Sequence, residues 1–206
     1  ILSKGHACVA LYSSLYLKGF FSIGELFTYG ENYSPFMNHA SHVVDGVEFS
    51  TGALGHGLGV GCGKALAAKV SNKKWHTFVL ISDGELQEGS NWEAFLFASH
   101  HNLNNLTVII DHNNLQSLTT VENTISIEPL ADKFLAFGWN VMNTDGHDHK
   151  LLSECIEKAK FSEKPSIIIS KTIKGKGVSF MENKVNWHYK NPDKNELELS
   201  LQEINK

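Results

Sequence analysis

Phe78-Val-Leu-Ile-Ser-Asp-Gly-Glu-Leu-Gln-Glu-Gly89 and Leu106-Thr-Val-Ile-Ile-Asp-His-Asn-Asn-Leu115 are the two stretches that decide the fold. Each opens as a short apolar, β-prone run and stops at Asp, Gly or Asn, the pattern of buried parallel strands that end at a site. Asn91 to Ser99 reads as a crossover helix between them, so the whole forms one βαβ unit. Ligands of open α/β sheets lie beyond the carboxyl ends of the strands. Asp83 and Asn113 would therefore face the same site. One carboxylate, one amide oxygen and a backbone carbonyl make a hard, oxygen-only donor set. Such a set suits Mg²⁺ or Ca²⁺, with phosphate oxygens and water completing the shell.

The rest of the chain sets the frame. Its 206 residues are enough for one sizeable core, and 42% hydrophobic with 19% charged residues is a globular composition. A net charge of −4 argues against nucleic acid or anionic membrane as a partner. No apolar run approaches a membrane span, and no signal peptide opens the chain. Cys8, Cys62 and Cys155 are few and scattered, as expected of small hydrophobes in the reducing cytoplasm. Ile1-Leu-Ser-Lys4 opens directly on what reads as an internal motif, so a truncated start is expected.

Outward from the two strands, Ala7 to Leu17 is apolar nearly all round and predicts a buried helix ended by Gly19. Ser22-Ile-Gly-Glu25 fits a capping box, and Tyr29 to Asp45 reads as a loop. Gly52 to Val70 begins glycine-rich and turns into a helix former, its early glycines allowing close backbone approach. Those glycines match neither a dinucleotide fingerprint nor a P-loop in any register. Leu130–Phe137, with Asp132 and Lys133 exposed, and Leu151–Phe161 are predicted helices, and Ser166–Ser170 is a buried strand. In Asp145-Gly-His-Asp-His149 a capped turn outweighs a transition-metal site. Lys174-Gly-Lys-Gly177 is a basic loop. Leu197, Leu201 and Ile204 share one face of a C-terminal helix that could pack on this domain or on a partner. Residues 1–192 thus form one doubly wound, mainly parallel α/β domain with helices on both faces, and residues 193–206 a C-terminal helix or tail.

The motifs also resemble a family. Asp83-Gly84 followed by Asn113 is similar to the thiamine diphosphate signature. Ser3-Lys-Gly-His-Ala7, Gly46-Val-Glu-Phe-Ser-Thr-Gly52, Leu54-Gly55, Asp83-Gly-Glu-Leu-Gln-Glu-Gly89, Ile127-Glu-Pro-Leu-Ala131, Phe137-Gly-Trp139, Asp145-Gly-His147 and Lys171-Thr-Ile-Lys-Gly-Lys-Gly177 follow the order of transketolases. The resemblance runs from Ile1 to about Pro192 and is strongest to the N-terminal subunit of a split, two-subunit transketolase. It implies thiamine diphosphate held through Mg²⁺ or Ca²⁺, with Asp83, Asn113 and the Leu115 carbonyl as metal ligands. It places Gly52, Leu54, Gly84, Glu85, Lys174 and His188 at the cofactor. His6, His39 and His188 would handle protons and sugar hydroxyls, neutral imidazole being able to donate or accept near neutral pH. Glu88 would communicate between paired active sites across a dimer, or else serve as an acid at a helix N-terminus.

The same resemblance implies a missing half. The glutamate that activates the cofactor lies on a pyrimidine-binding domain, so this chain would work with a separate pyrimidine-binding subunit, forming a homodimeric core within a heterotetramer. The reaction implied is transfer of a two-carbon ketol unit from a ketose, free or phosphorylated, to an aldose. Ser82, Asn38-His39-Ala40 and His56 depart from the family pattern, and the last two point to specialised sugar substrates. The alternatives are a deoxyxylulose-phosphate synthase-like or 2-oxo acid dehydrogenase-like subunit, or a scaffold that has lost its partner.

Overall fold

The computed structural model describes the whole chain, Ile1–Lys206. Its elements are α1 (Cys8–Leu17), α2 (Ile23–Leu26), α3 (Gly57–Val70), β1 (Thr77–Ser82), α4 (Gly89–His100), β2 (Leu106–His112), α5 (Val121–Thr124), α6 (Leu130–Ala136), β3 (Asn140–Asp145), α7 (His149–Lys160), β4 (Ser166–Lys171) and α8 (Lys194–Ile204). The four strands form one parallel sheet in the order β1-β2-β4-β3. This is the expected α/β architecture, with the predicted βαβ unit at one side. Sequence reading missed β3, because Asn140-Val-Met-Asn-Thr-Asp145 is an edge strand with only Val141 and Met142 apolar, too few to show as an apolar run.

At the opposite edge the N-terminal arm lies beside β1. Ile1 O accepts from Leu80 N at 2.9 Å and Ser3 N donates to Leu80 O at 2.8 Å, so the arm pairs in parallel with the free side of the strand. This pairing satisfies an edge that would otherwise be open to a second chain.

Strand periodicity builds the core. Val79, Ile81, Val108, Ile110, Ile167 and Ile169 turn to one face and pack against Leu58, Cys62 and Ala65 of α3, Phe95 and Ala98 of α4, and Phe134 of α6. Helix α7 covers the other face of β3 and β4, with Ala159 fully buried. Gly61 lets α3 lie against Val79, where a Cβ would collide with the valine side chain. At one end of the core Trp139 stands edge-on to Phe95, its ring centroid 5.2 Å away, and donates its indole N–H to Phe95 O at 3.0 Å. Cys8, Tyr12, Phe36, Ala40, Val44 and Val47 form a second, smaller cluster that packs the long loop against α1.

Helix α1 differs from expectation, and α8 takes only one of its two expected alternatives, its apolar stripe not packing on this domain. Within α1 only Cys8 and Tyr12 are buried, while Val9 and Leu17 face outward, so the helix is not surrounded by its own domain. In α8 Ser200 is buried and Glu203 binds the Ser179 N–H and hydroxyl, so a polar side faces the domain. The predicted Leu197, Leu201 and Ile204 stripe is exposed. Lys133 is half-buried, because its ammonium reaches back to the Ile127 and Glu128 carbonyls. Cys155 is likewise only half-buried, and all three cysteines are free thiols. The capping box at Ser22 and the Asp148 cap of α7 form as the sequence predicts. No helix is long and apolar enough to cross a membrane.

Truncating Trp139 to Ala would remove the largest fully buried side chain and orphan its packing partners. The expected cost is about 3–5 kcal/mol, read as a lower urea midpoint with an unchanged slope.

Candidate cofactor and metal site

Parallel register places the two signature segments side by side. Ser82 of β1 stands opposite Asp111 of β2, so Asp83 and the Asn113–Leu115 turn follow at neighbouring strand ends. Asp83 is fully buried. Its Oδ1 accepts from Gly84 N at 2.7 Å and its Oδ2 from Asn114 N at 2.5 Å. Burial raises its pKa above the usual carboxylate value, against the pull of these two N–H groups. A bound cation would supply the compensating charge that water no longer provides.

The neighbouring donors fit such a cation. Asn113 Oδ1 accepts from Leu115 N at 2.9 Å, and no donor of the chain is directed at the Leu115 carbonyl. Asn114, in the left-handed region at φ 62°, turns the backbone sharply between the two. Nowhere do three or more His, Cys, Asp or Glu side chains gather as a metal cluster. The donors at the strand ends are oxygens, which favours a hard divalent ion over a transition metal.

A cationic, histidine-lined wall faces these strand ends. His6, in the 3₁₀ turn Gly5–Ala7 before α1, and His188, in a short 3₁₀ turn Val185–His188, have ring centroids 5.6 Å apart. The pKa of His6 falls to about 4, first through desolvation and then through Lys4, His188, His39 and Lys174. His188 is lowered by burial foremost and then by Lys174 and Lys4, and its Nδ1 is buried without a partner. Lys174, in the loop after β4, is lowered by burial and by Lys4, while Asp111 and Asp83 pull the other way. The predicted residues His6, His39, His188, Lys174 and Asp83 therefore share one electrostatic neighbourhood.

The glycine loop closes in from a third side. A Cβ on Gly5 would stand 2.5 Å from Thr51 Oγ1 and 2.7 Å from Thr51 O, so only glycine lets the His6 arm lie against the loop. That contact brings Gly52 and Leu54 beside the arm, and the space around Gly52 is open. Gly84, expected to be small for a ligand's sake, is also crowded by Gln116, whose Cβ would lie 3.3 Å from an added methyl.

Glu85 takes a different place, whereas Glu88 stands at the helix N-terminus that one of its two readings expected. Glu85 is fully buried and is not an open ligand: Ser3 Oγ and Gly55 N donate to its Oε1, and Ser82 N to its Oε2. Glu88 is exposed at the start of α4, where it forms no side-chain capping bond.

Sequence reading missed a second polar knot. Lys4 Nζ donates to Asp111 Oδ2 at 2.5 Å, and Thr172 Oγ1 donates to Asp111 Oδ1. Burial acts to raise the Asp111 pKa, but Lys4 and the hydroxyl of Thr172 bring it below the usual value. Lys4 adjoins His6 in its motif, and Asp111 opens the Asp-His-Asn-Asn run. The signal was present, but nothing in the spacing reveals that they touch.

Comparison with known proteins agrees with this geometry. The family described as transketolase, thiamine diphosphate binding domain, matches residues 1–203, and the chain belongs to that family. An apulose-4-phosphate transketolase subunit of Phocaeicola vulgatus is 41% identical over 205 residues, 99% of this chain and 73% of that protein. The 6-deoxy-6-sulfo-D-fructose transketolase subunit SqwG of Clostridium sp. is 39% identical over 190 residues, 91% of this chain and 69% of that protein. The crystal structure of transketolase from Campylobacter jejuni superposes with a TM-score of 0.95 at 31% identity, covering all of this chain and 34% of that one. The chain thus spans about three-quarters of the Phocaeicola protein and about a third of the solved transketolase.

The His6 environment has a measurable consequence. Its folded pKa lies below its unfolded value, so the unfolded chain binds the proton more readily, and falling pH erodes stability between about 6.5 and 4. NMR titration should find the His6 imidazole neutral at pH 6. A His6→Gln variant should lose less stability than the parent as the pH falls through that window.

Proposed function

We propose that this chain is the diphosphate-binding subunit of a thiamine diphosphate-dependent transketolase, moving a two-carbon ketol unit from a ketose or ketose phosphate to an aldose acceptor. One observation carries the reading: Asp83, Asn113, His6, His188 and Lys174 converge beyond the carboxyl ends of parallel strands. The naming of two relatives as subunits of transketolases supports it and supports a separate pyrimidine-binding partner.

Thiamine diphosphate, when bound, supplies the carbon nucleophile that accepts and releases the ketol unit. The chain's own residues bind and orient. Asp83, Asn113 and the Leu115 carbonyl hold Mg²⁺, or Ca²⁺ in its place, and so anchor the diphosphate. Lys174 and His188 add donors on the same side, with the unpartnered His188 Nδ1 available to a ligand oxygen. Gly52 and Leu54 line the cofactor beyond the diphosphate, and Gly84 keeps the backbone low enough for it to approach. His6 and His39 face the sugar. The depressed pKa keeps His6 neutral at working pH, so its imidazole can accept a hydroxyl proton or donate to a carbonyl oxygen.

Glu88, exposed at the start of α4, faces a second copy in a homodimeric core, and two pyrimidine-binding subunits complete a heterotetramer. The assembly works in the cytoplasm. Asn38-His39-Ala40 and His56 adapt it to a specialised sugar.

The chain purified alone should show no ketol transfer, and activity should appear on adding the pyrimidine-binding subunit with Mg²⁺ and thiamine diphosphate. Robust transfer by the isolated chain would reject the divided active site, and pyruvate decarboxylation by the complex would favour another thiamine enzyme. In the same complex Asp83→Ala should weaken calorimetric uptake of thiamine diphosphate with Mg²⁺ on the order of 100-fold, since it removes the set's carboxylate. Unchanged uptake would exclude Asp83 as the anchor.

A further inference from the structure

We infer that Glu85 is a positioning residue, whose buried carboxylate draws the histidine-bearing N-terminal arm and the glycine loop onto the strand end that carries Asp83. This rests on the cofactor reading above and assigns the assembly of that site to a residue that itself touches no ligand. Glu85 is fully buried and enters no ion pair, an unusual setting for a glutamate. Three donors from three separate segments converge on it instead. Ser3 Oγ donates to Oε1 at 2.5 Å, Gly55 N to Oε1 at 2.9 Å, and Ser82 N to Oε2 at 3.3 Å.

Each segment carries part of the site. Ser3 lies three residues before His6, Gly55 follows Leu54, and Ser82 precedes Asp83. A fourth tie runs through the backbone, because Asn91 Nδ2 donates to Glu85 O at 2.7 Å and fixes the start of α4. Hydrophobic packing reaches the arm only at Ile1, against the main cluster, and at Cys8 in the smaller one, while Ser3–His6 and Gly52–Gly55 contribute to neither. The arm touches β1 through backbone pairing, and the loop meets the arm across the side-chain-free face of Gly5. A carboxylate is the one group of this size that only accepts, so it can meet three donors at once.

Glutamine keeps the size but turns one oxygen into a donor. Whichever way the amide is oriented, an N–H then confronts either Ser82 N or the Ser3 and Gly55 pair. One buried hydrogen bond is lost and a donor is left unmet, which loosens the segments without cutting into the core. Glu85→Gln, Ser3→Ala and the double variant test this in the complete complex with the pyrimidine-binding subunit.

Amide hydrogen exchange of the cofactor-free complex should show residues 2–7 and 52–56 opening about tenfold faster or more in Glu85→Gln, while β3 and α7 keep their protection. Ser3→Ala, the milder change, should release residues 2–7 alone. Calorimetry with thiamine diphosphate and Mg²⁺ should give an affinity about tenfold or more weaker for Glu85→Gln. At saturating cofactor kcat should largely recover, a split that a general loss of folding would not produce. The double variant should weaken binding by less than the sum of the two single effects, since residue 85 and Ser3 meet in one contact. Wild-type exchange and affinity in Glu85→Gln would overturn the inference, as would faster exchange spread evenly over the domain. Failure of the unmutated complex to take up thiamine diphosphate would overturn the cofactor reading and this inference together, whereas normal uptake by both forms would overturn this inference alone.

Discussion

Two parallel strands that end level with one another are the constraint on which the rest of this structure depends. Because β1 and β2 pair with Ser82 opposite Asp111, the turns that follow must leave the sheet side by side. A slip of one residue would reverse every side chain on β1 and bury the wrong set. The packing that locks Val79 and Ile81 into the core therefore also locks the spacing of Asp83 and Asn113. Core packing and ligand geometry share one register, and neither can drift without the other.

The N-terminal arm obeys a different logic. Its apolar residues Ile1 and Leu2 lie at its start, with Ile1 against the core, and beyond them the arm carries His6 into the site. Backbone pairing to the edge of β1 sets its direction, Gly5 lets it lie flat on Thr51, and Ser3 and Lys4 reach two acidic groups at the ends of adjacent strands. Polar contacts of this kind are directional where hydrophobic ones are not, and they suit a segment that must be placed accurately.

The sequence was legible where a pattern was local. The runs Phe78–Ser82 and Leu106–Ile110, the crossover helix, the Ser22 capping box and the Asp148 cap all rest on residues within a few positions of one another, and all form. Strand β3 escaped because an edge strand needs no apolar run. The outward face of α1 was misread because hydrophobicity on every side does not say what covers each side. Glu85 shows the limit most clearly: its place in the motif was plain, but its partners Ser3 and Gly55 lie 82 and 30 residues away in the chain. Whether a buried acid meets a ligand or the protein itself is decided by contacts that no spacing rule contains.

The depressed pKa values of His6 and His188 bear on how the cleft looks to an arriving anion. With both imidazoles held toward the neutral form, the positive charge near the strand ends rests with Lys4 and Lys174, offset by Asp83 and Asp111. A diphosphate arriving there would be drawn by lysine ammonium groups rather than by imidazolium. Because the same lysines help hold the pKa of His6 down, changing that attraction would also move the titration of the imidazole.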